Sequence, residues 1–253
     1  EIYDVTGGGD TPNLALQTKS NGVLSYINTT TQDKNYLCLV SPTGEYCTYE
    51  TNEGWKKIEL TGDAAGITFS DIFKWKDRIW LIQQGTTKAY YLGIGAIKGD
   101  AAVFDFGPIL RRGGSLAYGT TWTFDAGYDI SDYFVLVTTQ GEVIVYEGTN
   151  PSEASTFQLK GVWNVGAVPE GSRSYTHFGG ELLIMSALGV VPMSSLVNGK
   201  LANEYDVTSS KIQPVLSQIF SQYKRQFGWD MVPIYDQNFI FLKTPQRSTG
   251  EYI

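Results

Sequence analysis

Histidine and cysteine are nearly absent from this chain: it has one histidine, His177, and two cysteines, Cys38 and Cys47. A histidine- or cysteine-rich metal centre is excluded by counting. Any Ser-His-Asp or Cys-His apparatus would have to be built on His177. That residue lies in Tyr175-Thr-His-Phe-Gly-Gly, just ahead of a strand, with no nucleophile motif around it. Charge is sparse as well, at 18% of residues, and the balance is acidic, with a formal net charge of −7. Tight binding to a phosphate backbone needs clustered Lys and Arg, so the balance disfavours it, while leaving DNA free to pass without sticking. No apolar run approaches the roughly 20 residues that cross a bilayer as a helix. No signal peptide is visible, but the chain opens at Glu1 rather than Met, which leaves a preceding targeting segment open.

Aromatic and small residues are abundant: 28 Gly, 16 Tyr and 13% aromatics overall. This composition fits many short strands joined by tight turns. Tyr133–Thr139 (YFVLVTT), a Gln140-Gly141 turn and Glu142–Glu147 (EVIVYE) form a hairpin pattern. The pattern returns at Tyr36–Thr48, Arg78–Leu92, Glu181–Ser194 and, more weakly, Asn238–Ile253. Recurrence at roughly 40–55 residues is the range of propeller blades. The expectation is an all-β protein, a β-propeller of about five to six blades, forming one domain over 1–253. Intervening strands are expected at Ile2–Thr6, Gly22–Asn28, Gly54–Leu60, Thr68–Lys74, Leu116–Phe124 and Thr156–Val165, with Gly93–Phe106 loop-rich. Ile79, Leu81 and Tyr91 should face a core. Phe239–Lys243 reads as a strand whose partner opens at Glu251-Tyr252-Ile253, so the sequence reads as an incomplete piece of a longer chain.

One segment breaks the pattern. Ile212, Val215, Leu216, Ile219, Phe220 and Tyr223 follow helical spacing, which predicts one short inserted helix over 211–225. Ser209 or Ser210 is placed to cap it, and Pro214 must fall in its first turn. A helix this short is marginal without a partner surface, which favours packing on its own domain over being offered to a neighbour.

Site motifs are few. Gly93-Ile-Gly95-Ala-Ile-Lys-Gly99 has its third glycine one place late for a dinucleotide fingerprint and reads as a loop. Arg111-Arg112-Gly113-Gly114 is a small basic turn, more a solvated loop than a phosphate clamp. Asp125, Asp129 and Asp132 cluster around Tyr128; closely spaced Asp beside Gly are turn formers before they are a glycosidase pair. If Pro42-Thr43 are the central residues of their turn, Cys38 falls opposite Cys47. A cross-strand disulfide and two small buried thiols are the two readings, and the frequent burial of free Cys favours the second. Trp55, Trp122 and Trp163 are candidate sugar-stacking faces, with core packing as the commoner role for such rings. No catalytic, cofactor-binding or metal-ligating residue is assigned, and no enzymatic activity is expected.

The stretch from about Phe73 to Leu196 resembles a known family. It is carried by Trp75-Lys-Asp-Arg-Ile-Trp-Leu, Tyr91-Leu-Gly-Ile-Gly-Ala-Ile, Phe104-Asp-Phe-Gly, Arg112-Gly-Gly-Ser-Leu, Thr139-Gln-Gly-Glu-Val-Ile-Val-Tyr-Glu-Gly-Thr-Asn-Pro, Gly179-Gly-Glu-Leu-Leu-Ile and Gly189-Val-Val-Pro. The family is the propeller proteins of short-tailed bacteriophage tails: hub, nozzle or packaged-DNA-stabilisation proteins. The resemblance implies a structural virion component, a homo-hexamer around the tail axis below portal and adaptor proteins. Double-stranded DNA would be retained there until ejection and would pass through without specific binding. It implies no catalytic residue. The alternative function is a carbohydrate-binding or glycosidase-type propeller that reads a host receptor.

Overall fold

The structure is a computed structural model; it describes residues 2–4, 13–17, 24–41, 45–125, 130–171, 173–199 and 208–245. These fall in two compact units, Glu1–Ile109 and Leu110–Ile253. Both are mostly β and built from propeller-like blades, meaning antiparallel meanders in which consecutive strands pair.

The first unit opens with a two-stranded sheet, β1 (Ile2–Asp4) and β2 (Asn13–Leu16). A four-stranded meander follows: β3 (Ser25–Thr31), β4 (Lys34–Ser41), β5 (Glu45–Glu50) and β6 (Gly54–Ile58). Next come β7 (Thr61–Gly62), β8 (Phe69–Trp75), β9 (Arg78–Gln83), β10 (Lys88–Tyr91) and β11 (Asp100–Asp105), in the order β7-β11-β10-β9-β8. Only the β7–β11 pairing is parallel among those described in this unit. The β3–β4 and β8–β9 turns are two residues long. Gln32, Asp33, Lys76 and Asp77 all have positive φ, as the primed hairpin turn requires. A short ion pair, Lys74 to Asp77 at 2.9 Å, ties the second turn and holds the Asp77 carboxyl below its usual range.

Period-two alternation puts Ile72, Ile79, Leu81 and Tyr90 on one face of this sheet, packed with Cys38, Val40 and Tyr46 of the preceding one. Tyr91 is buried, but on the opposite face, where its ring meets Trp80 at 4.9 Å. Tyr91 thus faces a core, as expected, but not the one that Ile79 and Leu81 share, where Tyr90 stands opposite Leu81. One correction is β11, which lies within the segment read as loop-rich. Its Ala-rich sequence carries weak strand preference, and pairing to β10 supplies the rest.

The second unit begins with a four-stranded meander: β12 (Leu116–Asp125), β13 (Ile130–Thr138), β14 (Glu142–Gly148) and β15 (Phe157–Asn164). A three-stranded one follows, β16 (Tyr175–Phe178), β17 (Glu181–Ser186) and β18 (Gly189–Pro192), and then α1 (Met193–Val197). After a 3-10 turn at Ser210–Ile212 come α2 (Gln213–Tyr223) and the hairpin β19 (Asp230–Ile234) and β20 (Phe239–Lys243).

The strand β17 shows how these layers stack. Leu182 and Ile184 join Val135, Val137, Val143 and Val145 in one core, while Leu183 and Met185 join Phe220, Trp229 and Met231 in another. One sheet thus has apolar cores on both faces, as a blade between two neighbours must. Each fully buried aliphatic contributes about 1.5–3 kcal/mol relative to an exposed one, so β13 and β14, with Phe134 to Val137, Val143 and Ile144 at zero exposure, anchor the unit.

Four described sheets have three or more strands, fewer than the five to six blades expected. The helix is present and sits on its own unit, with Ile219, Phe220 and Tyr223 in the core that holds Leu183, Met185 and Val190, and with Pro214 at its N-terminal end. Ser209 does not cap it. Its hydroxyl accepts the Val190 amide at 3.0 Å and donates to Gln213 at 3.2 Å. β20 pairs with β19, from Asp230↔Lys243 to Ile234↔Phe239. The return strand expected at 251–253 lies outside the described residues.

Candidate functional site

His177 projects from β16 and is exposed. Its Nε2 lies 2.7 Å from the Thr121 carbonyl oxygen, and its ring meets Tyr175 edge-on at 5.9 Å. A carbonyl only accepts, so Nε2 carries the proton and donates it. The imidazole is therefore a strut between β16 and β12. The Asp125 side chain lies outside the described residues, and Tyr128 and Asp129 lie outside them altogether. Among the described residues no group of three or more His, Cys, Asp or Glu is placed to hold a metal ion. No described helix is long and apolar enough to cross a membrane.

The cysteines are free and buried, and the expected register is corrected by one residue. Ser41 pairs with Glu45, so Cys38 stands opposite Thr48 and Cys47 opposite Leu39. Pro42-Thr43 are therefore not the whole connection; Gly44 belongs to it too. The shift puts the two thiols on opposite faces of the ribbon. Burial pushes both thiols up, Cys47 to about 11, and pushes the Tyr46 phenol well above its usual value. The Tyr46 hydroxyl donates to the Ile97 carbonyl at 2.7 Å.

An acid whose folded pKa is raised stabilises the fold below its unfolded pKa and loses that contribution as pH climbs through the folded one. Stability of the first unit should therefore fall between about pH 9 and 11. Urea midpoints at pH 8 and 10.5 will show a drop in the wild type and a smaller one in Cys47→Ala. Equal drops would show that Cys47 does not titrate in this window.

The basic turn Arg111–Gly114 holds an anion, but the protein's own. The Glu142 side chain is 3% exposed, and its two carboxylate oxygens accept the backbone amides of Arg111 and Arg112 at 2.9 and 3.0 Å. The Glu142 amide in turn donates to Thr138 Oγ1 at 3.0 Å. The amides that a phosphate would need are thus occupied by a strand residue. Sequence reading missed Glu142 because the first residue of a hairpin strand is ordinarily solvated, and nothing in its neighbours marks it as buried.

Trp122 is buried in the core around Val135 and stacks on Tyr133 at 5.6 Å. Trp55, half-buried, lies 5.3 Å from Tyr49. Trp163 is half-buried on the edge strand β15, its ring over Gly161, where an added Cβ would sit 2.5 Å from the ring edge. Trp163 packs against the core that holds Trp122, both in the second unit, while Trp55 belongs to the first.

A cleft open to solvent lies in the second unit. It has a volume of about 300 Å³ and lies beside β18 and the β19–β20 hairpin. Leu183, Val190 and Met231, all buried, line it together with Phe178 and Phe239. Its polar lining comes from Thr208, Ser209 and Asn238. Nothing in the sequence announced it, because its lining comes from segments distant in the chain.

No family model matches this chain, and no curated protein does. Among solved structures it is similar to a chain of the crystal structure of BBS1N in complex with ARL6DN, soaked with lead. The identity is 14% and the TM-score 0.37, over 72% of this chain and 68% of that one.

Proposed function

We propose that this chain is a structural protein of a short-tailed phage tail, a hub or nozzle subunit of the DNA-ejection conduit. The observation that carries the reading is the set of stretches between Phe73 and Leu196 that resemble that family. They fall on framework positions. Trp75 and Trp80 are buried in β8 and β9, Thr139–Gly148 is the turn and strand of the central hairpin, and Gly179-Gly180 is a turn with both φ positive. In this reading the full propeller has five to six blades and forms a hexamer on a portal or adaptor platform in the virion. The polypeptide performs no catalysis. A net charge of −7 suits a wall that repels phosphate, so that double-stranded DNA slides through.

A glycan-reading module is the second reading. It rests on the half-buried Trp163 and Trp55, whose ring faces offer sugar-stacking surfaces. Negative-stain electron microscopy separates the two. Rings with an open axial channel, formed alone or on a neighbouring tail protein, are the expected result. Single discs under both conditions, with binding on a glycan array, would replace the conduit by the receptor reader.

A further inference from the structure

We propose that Asn198-Gly199 is a site of spontaneous covalent modification, at which the asparagine is converted to aspartate and isoaspartate. The pair closes α1: Asn198 is the C-cap residue of that helix, and Gly199 follows it at φ +67°. Both are exposed. Nothing stands within 4 Å of a Cβ added at Gly199, so the space around it is open. The Gly199 amide donates to the Leu196 carbonyl at 3.2 Å, the long end of the usual range. Frayed ends open locally at little cost, and a five-residue helix is nearly all end.

The chemistry needs only the chain and water. Once the bond to Leu196 opens, the Gly199 amide nitrogen attacks Cγ of Asn198. The new N–Cγ bond closes a five-membered imide, the Cγ–Nδ2 bond breaks, and ammonia leaves with the amide proton. Water then adds to either imide carbonyl. One opening restores the backbone with an aspartate side chain; the other routes the backbone through Cγ as isoaspartate. Glycine favours the attack because no side chain shields its nitrogen. Asn35, Asn52, Asn150 and Asn164 each precede a larger residue and have their carboxamides in hydrogen bonds. The consequence falls on α1, which places Met193 and Leu196 in the core around Val135. Both products add a negative charge at the carbonyl end of the helix, where it is disfavoured.

The test is to incubate the whole protein at pH 8.5 and 37 °C and map it with trypsin. Cleavage after Arg173 and Lys200 gives a peptide in which Asn198 is the only asparagine, separate from Asn21, the other asparagine that precedes glycine. That peptide should exchange an NH₂ for an OH in mass and split into two chromatographic forms, aspartate and isoaspartate. Gly199→Ala should slow the conversion at least tenfold. So should Asn198→Gln, whose longer side chain would have to close a six-membered ring; it keeps the glycine turn, so the test survives an Ala variant that fails to fold. An unchanged Asn198, after the same peptide free in solution has converted fully, would overturn the proposal. Equal rates in the wild type and the folded Ala variant would do the same, as would equally fast conversion at Asn164.

Discussion

Gly141→Ala is expected to cost more than about 3 kcal/mol, enough to unfold a marginal domain. Gly141 closes the β13–β14 turn at φ +78°, a conformation that costs a side-chain-bearing residue about 1–2 kcal/mol. Strain is the smaller part. An added Cβ would lie 1.7 Å from the Gly166 carbonyl oxygen and 2.3 Å from its carbon, both backbone atoms. The turn or the Gly166 segment must move, and the Val165 amide bond to the Gly141 carbonyl, 2.9 Å long, goes with it. Gly85→Ala is the control. Its φ is +70°, but nothing stands within 4 Å of its added Cβ, so only the strain should appear, about 1 kcal/mol. Urea unfolding of both variants measures the difference. Equal losses would mean that the close approach to Gly166 does not constrain the turn.

Glu142→Ala should cost about 2–4 kcal/mol, because two charge-assisted hydrogen bonds are lost and their amide donors stay partly shielded from water. Glu142→Gln should fall between wild type and Ala. Its amide keeps one accepting oxygen and turns an NH₂ toward the second backbone donor. The site adjoins Gly141, so the two substitutions should not be additive. Thermal unfolding of the three proteins orders them. A Gln variant as stable as wild type would show that one acceptor suffices to hold the Arg111-Arg112 turn.

Hairpins were the legible part of this fold. At Tyr133–Glu147 and Arg78–Leu92 the alternation of β-branched and aromatic residues states which side chains share a face, and short turns fix the partners. Legibility failed where the local signal was weak or the turn length was assumed. Four of the six residues of β11 are alanine or aspartate, and the strand is held by its neighbour β10. β19 carries Pro233, which argues against a strand, yet Pro233 pairs opposite Ile240 on a two-stranded hairpin where one missing donor is tolerated. The cysteine register moved by one residue because the β4–β5 connection spans three residues between Ser41 and Glu45. A one-residue slip changes which face each thiol occupies. The helix was read correctly from its period, but the role of Ser209 was not, since the competing amide of Val190 comes from a strand 19 residues away.

The candidate site was legible only in the negative. Counting one histidine and two cysteines removed only the metal centres rich in those residues before any geometry was known. The Glu142 clasp and the apolar cleft depend on which distant segments meet, and no spacing in the chain encodes that visibly.

Analytical ultracentrifugation, with and without a neighbouring tail protein, tests the conduit reading most directly. The prediction is a dominant species near six times 28.0 kDa, alone or on the platform. A single 28.0 kDa species under both conditions would contradict it.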